Sequence, residues 1–509
     1  MWLKEIRQNR ITYTNAHYKL HYQNFWNHLS TLIWQFRMLQ FVMLVSIAFY
    51  KEVRHMLEKL FRLTENGTDI KTEMRGGLIT FLTMSYIVFI NPAILCSFNK
   101  TGMDFNSVML ATCISAALAT VIMGLYANYP IAQAPLMGEN AFFAATVIVS
   151  MGMPWQTALG AVFISGLLFL LLTFLKVREI LLDAIPMSLK YAIASGIGLF
   201  IAFIGLQQGG IIKSDPVTML TMGNLTSPHV ILTLAGLLIT AALMARKVKG
   251  AILWGLFIST AIALATGMIK LDMSHGIVGA FVSVPPSLEP TFLKLDIKSA
   301  LSITTLPVIT VFLFMLLFDT VGTLLGVAQP AGLIKDGKLP RAEKALLSDA
   351  VATIAGSLLG TSTVSSFIES ATGISEGART GLSNMLVGLL FILTIFFSPL
   401  IRLIGGGILV GGQAFNPITA PVLVIVGCLM ISLFKEIKTD DMTESVPAFL
   451  TVMATPLTYN IAYGLALGFI SYPIIKLLAG RGKEVQPVIY IIALILTVGL
   501  VYKELEFKT

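Results

Sequence analysis

Apolar runs with short polar connections fill the chain from about residue 76 to residue 503. They lie near 76–97, 107–127, 130–150, 155–176, 180–206, 228–246, 250–268, 300–328, 345–361, 363–378, 380–403, 417–434, 446–458, 459–479 and 485–503. Most are long enough for a helix that crosses about 30 Å of hydrocarbon. The pattern predicts an all-α polytopic membrane protein with about fourteen transmembrane helices. The stretch 446–479 reads either as one long bent helix or as a tight hairpin broken at Pro456, and the hairpin makes fifteen runs.

Two runs cannot be regular helices. The run 130–150 opens with Tyr129-Pro-Ile-Ala-Gln-Ala-Pro135, and each proline lacks an N–H. The run 363–378 follows Ser362-Thr-Val-Ser-Ser366, which is polar and β-prone, and contains Gly373. Irregular backbone at membrane depth survives only where protein or a cavity surrounds it. Broken runs in corresponding positions of two halves point to a transporter site between inverted repeats. Each run is third in its half, after a small-residue helix (Ala111–Leu125; Ala350–Leu359) and before a Leu/Phe-rich one (Gly160–Leu175; Val387–Phe397). Further on, Ala-Ser-Gly-Ile-Gly198 and Ile-Val-Gly427 occupy matching places. The halves are 56–268 and 300–509, with a loop at 269–299 outside the membrane.

Residues 1–55 differ in character. Residues 1–37 are polar and aromatic, and the apolar run Met38–Tyr50 is too short to span. This stretch reads as an upstream extension before a natural initiator at Met56, or as an interfacial helix.

Composition agrees with the pattern. Of 509 residues, 56% are apolar and only 12% charged, too few charges to cover a soluble surface. The net charge of +8 need not signal nucleic acid. Basic residues cluster before the first segment, at Lys59, Arg62, Lys71 and Arg75, and after alternate later ones, at Lys176, Arg178; Arg246, Lys247, Lys249; Lys335, Lys338, Arg341, Lys344; Arg379; and Lys435, Lys438. Alternating segments put all of them on one side, which should be cytoplasmic together with the N-terminus. Cys96, Cys113 and Cys428 have no paired spacing, so neither a metal site nor a disulfide framework is expected.

Against this background two acids stand out. Asp319 lies in Val311-Phe-Leu-Phe-Met-Leu-Leu-Phe-Asp-Thr320 and Glu369 in Thr363-Val-Ser-Ser-Phe-Ile-Glu-Ser-Ala-Thr-Gly373. A carboxylate at membrane depth costs about 2.5–3.5 kcal/mol on insertion scales, so it marks a functional site by default. The first half supplies Pro135-Leu-Met-Gly-Glu-Asn-Ala-Phe-Phe-Ala144. There Asn140 offers donors and acceptors, and Glu139 would sit near the positive end of a half-helix. Helix capping by Asn140 and dipole compensation by Glu139 are the plainer readings. A ligand of Asn140, Asp319 and Glu369 would be small, polar and rich in donors, because a carboxylate accepts two adjacent N–H groups. Purine and pyrimidine bases have such edges. Phe142, Phe143, Phe318 and Phe367 would wall the ligand or, more plainly, pack in the core. Burial of acids also suits proton coupling, with Asp319, Glu369 and Glu139 as the candidates.

Four phrases resemble the AzgA-type purine permeases, a branch of the nucleobase–cation symporter (nucleobase–ascorbate transporter) superfamily. They are Met74-Arg-Gly-Gly-Leu-Ile-Thr-Phe-Leu-Thr-Met-Ser-Tyr-Ile-Val-Phe-Ile-Asn-Pro92, Gly138-Glu-Asn-Ala-Phe-Phe-Ala144, Phe318-Asp-Thr-Val-Gly-Thr-Leu-Leu325 and Glu369-Ser-Ala-Thr-Gly373. The resemblance covers about Met56 to Lys503. It implies fourteen helices in two inverted seven-helix repeats, a core and a gate domain, and short strands in the broken third and tenth helices. It also implies inward carriage of hypoxanthine, guanine or adenine with protons in the cytoplasmic (inner) membrane, no cofactor or nucleic-acid partner, and homodimers through the gate. By motif match it places Asn140, Asp319 and Glu369 on the base, with Thr83, Tyr86 and Ser366 along the site. Two positions depart from the pattern. Leu316 stands where many relatives carry a second acid, and Glu139 where many carry an apolar residue.

Other classes fit less well. An anion carrier would suit half-helix N-termini but not the acids beside them. An enzyme would need a nucleophile–base pair or metal ligands. Of His17, His21, His28, His55, His229 and His275, none lies in a membrane run beside an acid. Lone acids in broken helices suit an alternating site better than a pore ring.

Overall fold

The computed structural model describes residues 51–96, 101–175, 185–274, 276–328, 332–333 and 339–506, with Trp34, Met38 and Met43. The side chains of Phe318, Val321 and Leu325 and those beyond residue 498 fall outside that description. The chain divides into two compact units, Met1–Thr64 and Glu65–Thr509. In the first, a helix over 51–61 ends where Arg62 turns to φ +56° and Glu58 accepts the Thr64 N–H at 3.0 Å. Most of the predicted extension lies outside the described residues.

The second unit is helical. Its first apolar run is two helices, α1 (Ile70–Met84) and α2 (Ile87–Leu95), separated at Ser85-Tyr86. Then come α3 (Phe105–Ile122), strand β1 (Gln133–Pro135), the short α4 (Met137–Ala141) continued as a wide helix to Ser150, α5 (Trp155–Phe174) and α6 (Met187–Gln208). A hairpin of β2 (Ile212–Asp215) and β3 (Met219–Met222) precedes α7 (Pro228–Ala245) and α8 (Ala251–Ala265). The second half follows with α9 (Leu306–Ala328), α10 (Ala342–Leu359), β4 (Val364–Ser366), α11 (Ser370–Ser375) and α12 (Leu382–Thr394). A second hairpin, β5 (Ile408–Val410) and β6 (Gln413–Phe415), leads to α13 (Ala420–Ile431), α14 (Met442–Leu457), α15 (Ile461–Leu478) and α16 (Pro487–Glu506).

Eight helices among the described residues are long and apolar enough to cross a bilayer. Fewer qualify than the sequence predicts because several runs are broken or short, including 130–150, 250–268, 363–378 and 417–434. The stretch 446–479 is a hairpin. Its break falls at Thr458–Asn460 rather than at Pro456, which sits in the last turn of α14. Tyr459 reverses the chain at φ +55°, and the Asn460 side chain caps α15 through the Ala462 N–H at 2.9 Å.

The helices pack in two groups. The elements α1–α5 pack with α9–α12, and α6 packs with α13, α14 and α15, while α7 contacts both α8 and α13. Small residues set the crossings. A Cβ on Gly198 of α6 would stand 2.9 Å from the Gly427 carbonyl of α13, and one on Gly76 of α1 would stand 2.9 Å from the Gly373 carbonyl of α11. Backbones this close gain dispersion contacts that larger side chains would prevent.

Candidate functional site

The two broken segments meet. Strands β1 and β4 pair antiparallel, with Gln133 opposite Ser366 and Pro135 opposite Val364. Each strand is held by a threonine of the helix before it. Thr120 Oγ1 on α3 accepts from Gln133 N at 2.9 Å and donates to Gln133 O at 3.0 Å. Thr353 Oγ1 on α10 does the same for Val364 N at 3.3 Å and Val364 O at 2.9 Å. The irregular backbone before β1 is also satisfied. Asn384 Nδ2 reaches the carbonyls of Tyr129 (3.0 Å) and Ile131 (2.8 Å), and Ser370 Oγ accepts from Ala132 N at 3.0 Å. These bonds let extended chain persist among apolar helices.

Four carboxylates gather around the crossing. Glu139 is buried on α4 and interacts electrostatically with Asp319 on α9, which in turn interacts with Asp349 and Glu369. Asp319 and Glu369 are each half-buried. Glu369 stands at the N-terminal end of α11 and accepts a hydrogen bond from the Tyr86 hydroxyl, which the α1–α2 break turns inward. Asn140 is fully buried; its Oδ1 accepts from Ser362 Oγ, and its Nδ2 has no partner among the described residues. Three expected residues, Asn140, Asp319 and Glu369, thus sit on elements that converge.

The remaining expectations fall one step back. Thr83 Oγ1 is 2.9 Å from Thr372 Oγ1, tying α1 to α11. Ser366 Oγ donates to Asp349 Oδ1 at 3.0 Å. Phe142 and Phe143 are buried against Phe312, with ring centroids 5.0 and 6.4 Å away, and Phe367 is buried too, so these rings pack in the core. Leu316, at the position of the missing acid, is fully buried.

The sequence reading passed over Asp349. It is fully buried on α10 and accepts from Gln133 Nε2, Ser365 Oγ (2.8 Å) and Ser366 Oγ. Ser365 Oγ is also 2.8 Å from Thr320 Oγ1, next to Asp319. Gln133 Oε1 has no partner among the described residues. Glu73 was missed as well. It is fully buried on α1 and accepts from the N–H groups of Arg379 (2.7 Å), Thr380 (3.1 Å) and Ser383 (3.2 Å), so it caps α12. The signal for both was an acid in or beside an apolar run. Among the described residues no group of three or more His, Cys, Asp and Glu could hold a metal ion.

Apolar spanning helices around a broken-helix crossing lined with acids define a multi-pass membrane transporter rather than an enzyme. The Permease family matches residues 71–467, and the chain belongs to that family. A relative from Methanocaldococcus jannaschii is 49% identical over 448 residues, covering 88% of this chain and 98% of its own length. The adenine permease AdeP of Escherichia coli is 42% identical over 448 residues, 88% of this chain and 96% of that protein. The guanine/hypoxanthine permease PbuO of Bacillus subtilis is 43% identical over 446 residues, 87% and 99% respectively. Among solved structures, the transmembrane domain of a cyanobacterium bicarbonate transporter, BicA, matches with a TM-score of 0.56 at 14% identity. The match covers 77% of this chain and 97% of that one, a likeness of fold alone.

Proposed function

We propose that this chain carries purine nucleobases (hypoxanthine, guanine or adenine) with protons across the cytoplasmic membrane by alternating access. The observation that carries the reading is the placement of Glu369, Asp319 and Asn140 at one crossing of two broken helices, with no partner for the Asn140 amide donor among the described residues. Carboxylates accept the paired N–H groups of a base edge, and an amide reads donors and acceptors together. In this reading Glu369, Asp319 and Asn140 touch the base, while Thr83 and Ser366 hold their carriers in place. A proton shared among Glu139, Asp319 and Glu369 would relieve like-charge repulsion in a low dielectric, and its release inside would complete a cycle. The names of AdeP and PbuO support a purine, and the acids oppose an anion.

The paired threonine clasps and the matched order of helix, strand and half-helix support two inverted repeats of seven helices, 56–268 and 300–509. The group around β1 and β4 would act as core, and that around α6 and α13 as gate and homodimer face. Basic connections put the N-terminus inside. Uptake of labelled hypoxanthine, guanine and adenine by cells lacking their own purine carriers tests the function. Accumulation abolished by a protonophore supports it. Failure to take up any of the three, or uptake that follows sodium, overturns it.

A further inference from the structure

We propose that Glu376 forms an ionic latch between the half-helix behind Glu369 and the loop joining α7 to α8, and that this latch opens during each transport cycle. The inference rests on the transport reading above. Glu376 directly follows α11, so it lies at the far end of the short helix that Glu369 begins. One carboxylate oxygen pairs with Lys249 Nζ and the other with Arg75 Nη2 at 2.5 Å. The acid is 16% exposed and the two cations 53% and 65%, so the basic side chains reach inward from water onto an enclosed carboxylate.

The three charges come from two sets of packed helices. Arg75 lies on α1, which is fixed to α11 by the Gly76–Gly373 approach, by Thr83 with Thr372, and by Glu73 on the chain just beyond. Arg379 closes the same end of α11, donating to the carbonyls of Ile374 and Ala378 at 2.7 Å. Lys249 instead lies in the loop between α7 and α8, which pack on each other and, through α7, on α13; this pair meets the site group where a Cβ on Gly250 would stand 3.3 Å from the Leu82 carbonyl and where Phe257 of α8 packs on Phe89 of α2 at 6.4 Å. Two members therefore belong to the helices that carry the site and the third to the α7–α8 pair beside them. A partly exposed pair is weak, so it can bias one arrangement and still open often.

The test uses the full chain with Cys96, Cys113 and Cys428 replaced by Ala, and Lys249→Cys with Glu376→Cys joined by a short reducible bis-methanethiosulfonate linker. The expected result is uptake of labelled hypoxanthine about tenfold lower when linked and restored by reductant, with the reagent harmless to Lys249→Cys alone. Undiminished uptake by linked protein overturns the latch while leaving the transport reading intact. Absence of purine uptake from the unlinked and natural chains alike overturns the transport reading itself. If the double variant does not reach the membrane, maleimide labelling of Lys249→Cys decides. A rate about threefold faster during hypoxanthine transport supports opening, and an unchanged rate refutes it.

Discussion

Gln133 and Ser366 face each other across the β1–β4 pair and donate to the same oxygen, Asp349 Oδ1. One carboxylate therefore gathers a side chain from each broken segment. Replacing it strands several buried donors, each costing about 1–3 kcal/mol when unsatisfied. Asp349→Ala should lower the melting temperature of purified protein by several degrees and abolish purine uptake. Asp349→Asn, which keeps the shape but places an amide against the Gln133 donor, should fall between that variant and the natural chain. A stable, fully active Asp349→Ala protein would show that the strands hold without this bond.

A different outcome is expected at the carboxylates assigned to the base. Glu369→Gln and Asp319→Asn each keep size and remove charge, so the protein should reach the membrane in normal amount. Uptake should drop about a hundredfold or more if each contributes a charge-assisted pair of hydrogen bonds. Glu369→Gln also changes the partner of the Tyr86 hydroxyl. Tyr86→Phe should therefore weaken uptake about tenfold without abolishing it. Transport assays with surface quantification separate these cases from misfolding.

Much of this site could be read along the chain because its cause is local. Pro130 and Pro135 forbid helix, and the Ser/Thr cluster before Phe367 favours extended chain, so both strands were visible as interruptions. Asp319 and Glu369 stood out because acids in apolar runs are costly. Asp349 and Glu73 escaped because each lies at or near the start of an apolar run, where an acid can still reach water. Whether such an acid meets water or a partner depends on the neighbouring helix, here the strand Gln133–Pro135 and the N-terminus of α12. The division into two helix groups was expected only from the resemblance and could not be read from the apolar pattern itself. It depends on which small residues meet, and Gly198 and Gly427 read only as punctuation until their helices are seen to cross.

That crossing makes a packing prediction. Gly427→Val would push β-branched bulk against the α6 backbone at Gly198 and Ala202. Overpacking costs about 1–3 kcal/mol and can separate the helices. The variant should melt earlier and transport slowly, while Gly411→Ala, in the open β5–β6 turn where an added Cβ would meet none of the described residues within 4 Å, should keep its packing and show only the strain of its positive φ. Equal effects on melting would mean that α6 and α13 tolerate a wider spacing.

The last prediction concerns acid stability outside the membrane-spanning segments. Where α14 begins and α15 ends, Asp441 accepts from Thr443 and from Arg481 Nη1 at 2.8 Å, and these bonds lower its carboxyl to about 2. Glu484 is likewise held at about 2, first by Arg481 and then by Lys476. Both groups are depressed on folding, so their stabilisation is present above the usual carboxylate range. It is lost as pH falls through that range toward 2. Thermal unfolding of detergent-purified protein should therefore show a constant stabilising contribution from this cluster between neutrality and pH 5, and a growing loss below pH 4. Arg481→Gln should remove part of that acid-dependent loss, leaving what Thr443 and Lys476 supply, and lower the melting temperature at pH 7. A natural protein and an Arg481→Gln variant with parallel melting curves down to low pH would show that these ion pairs do not couple to folding.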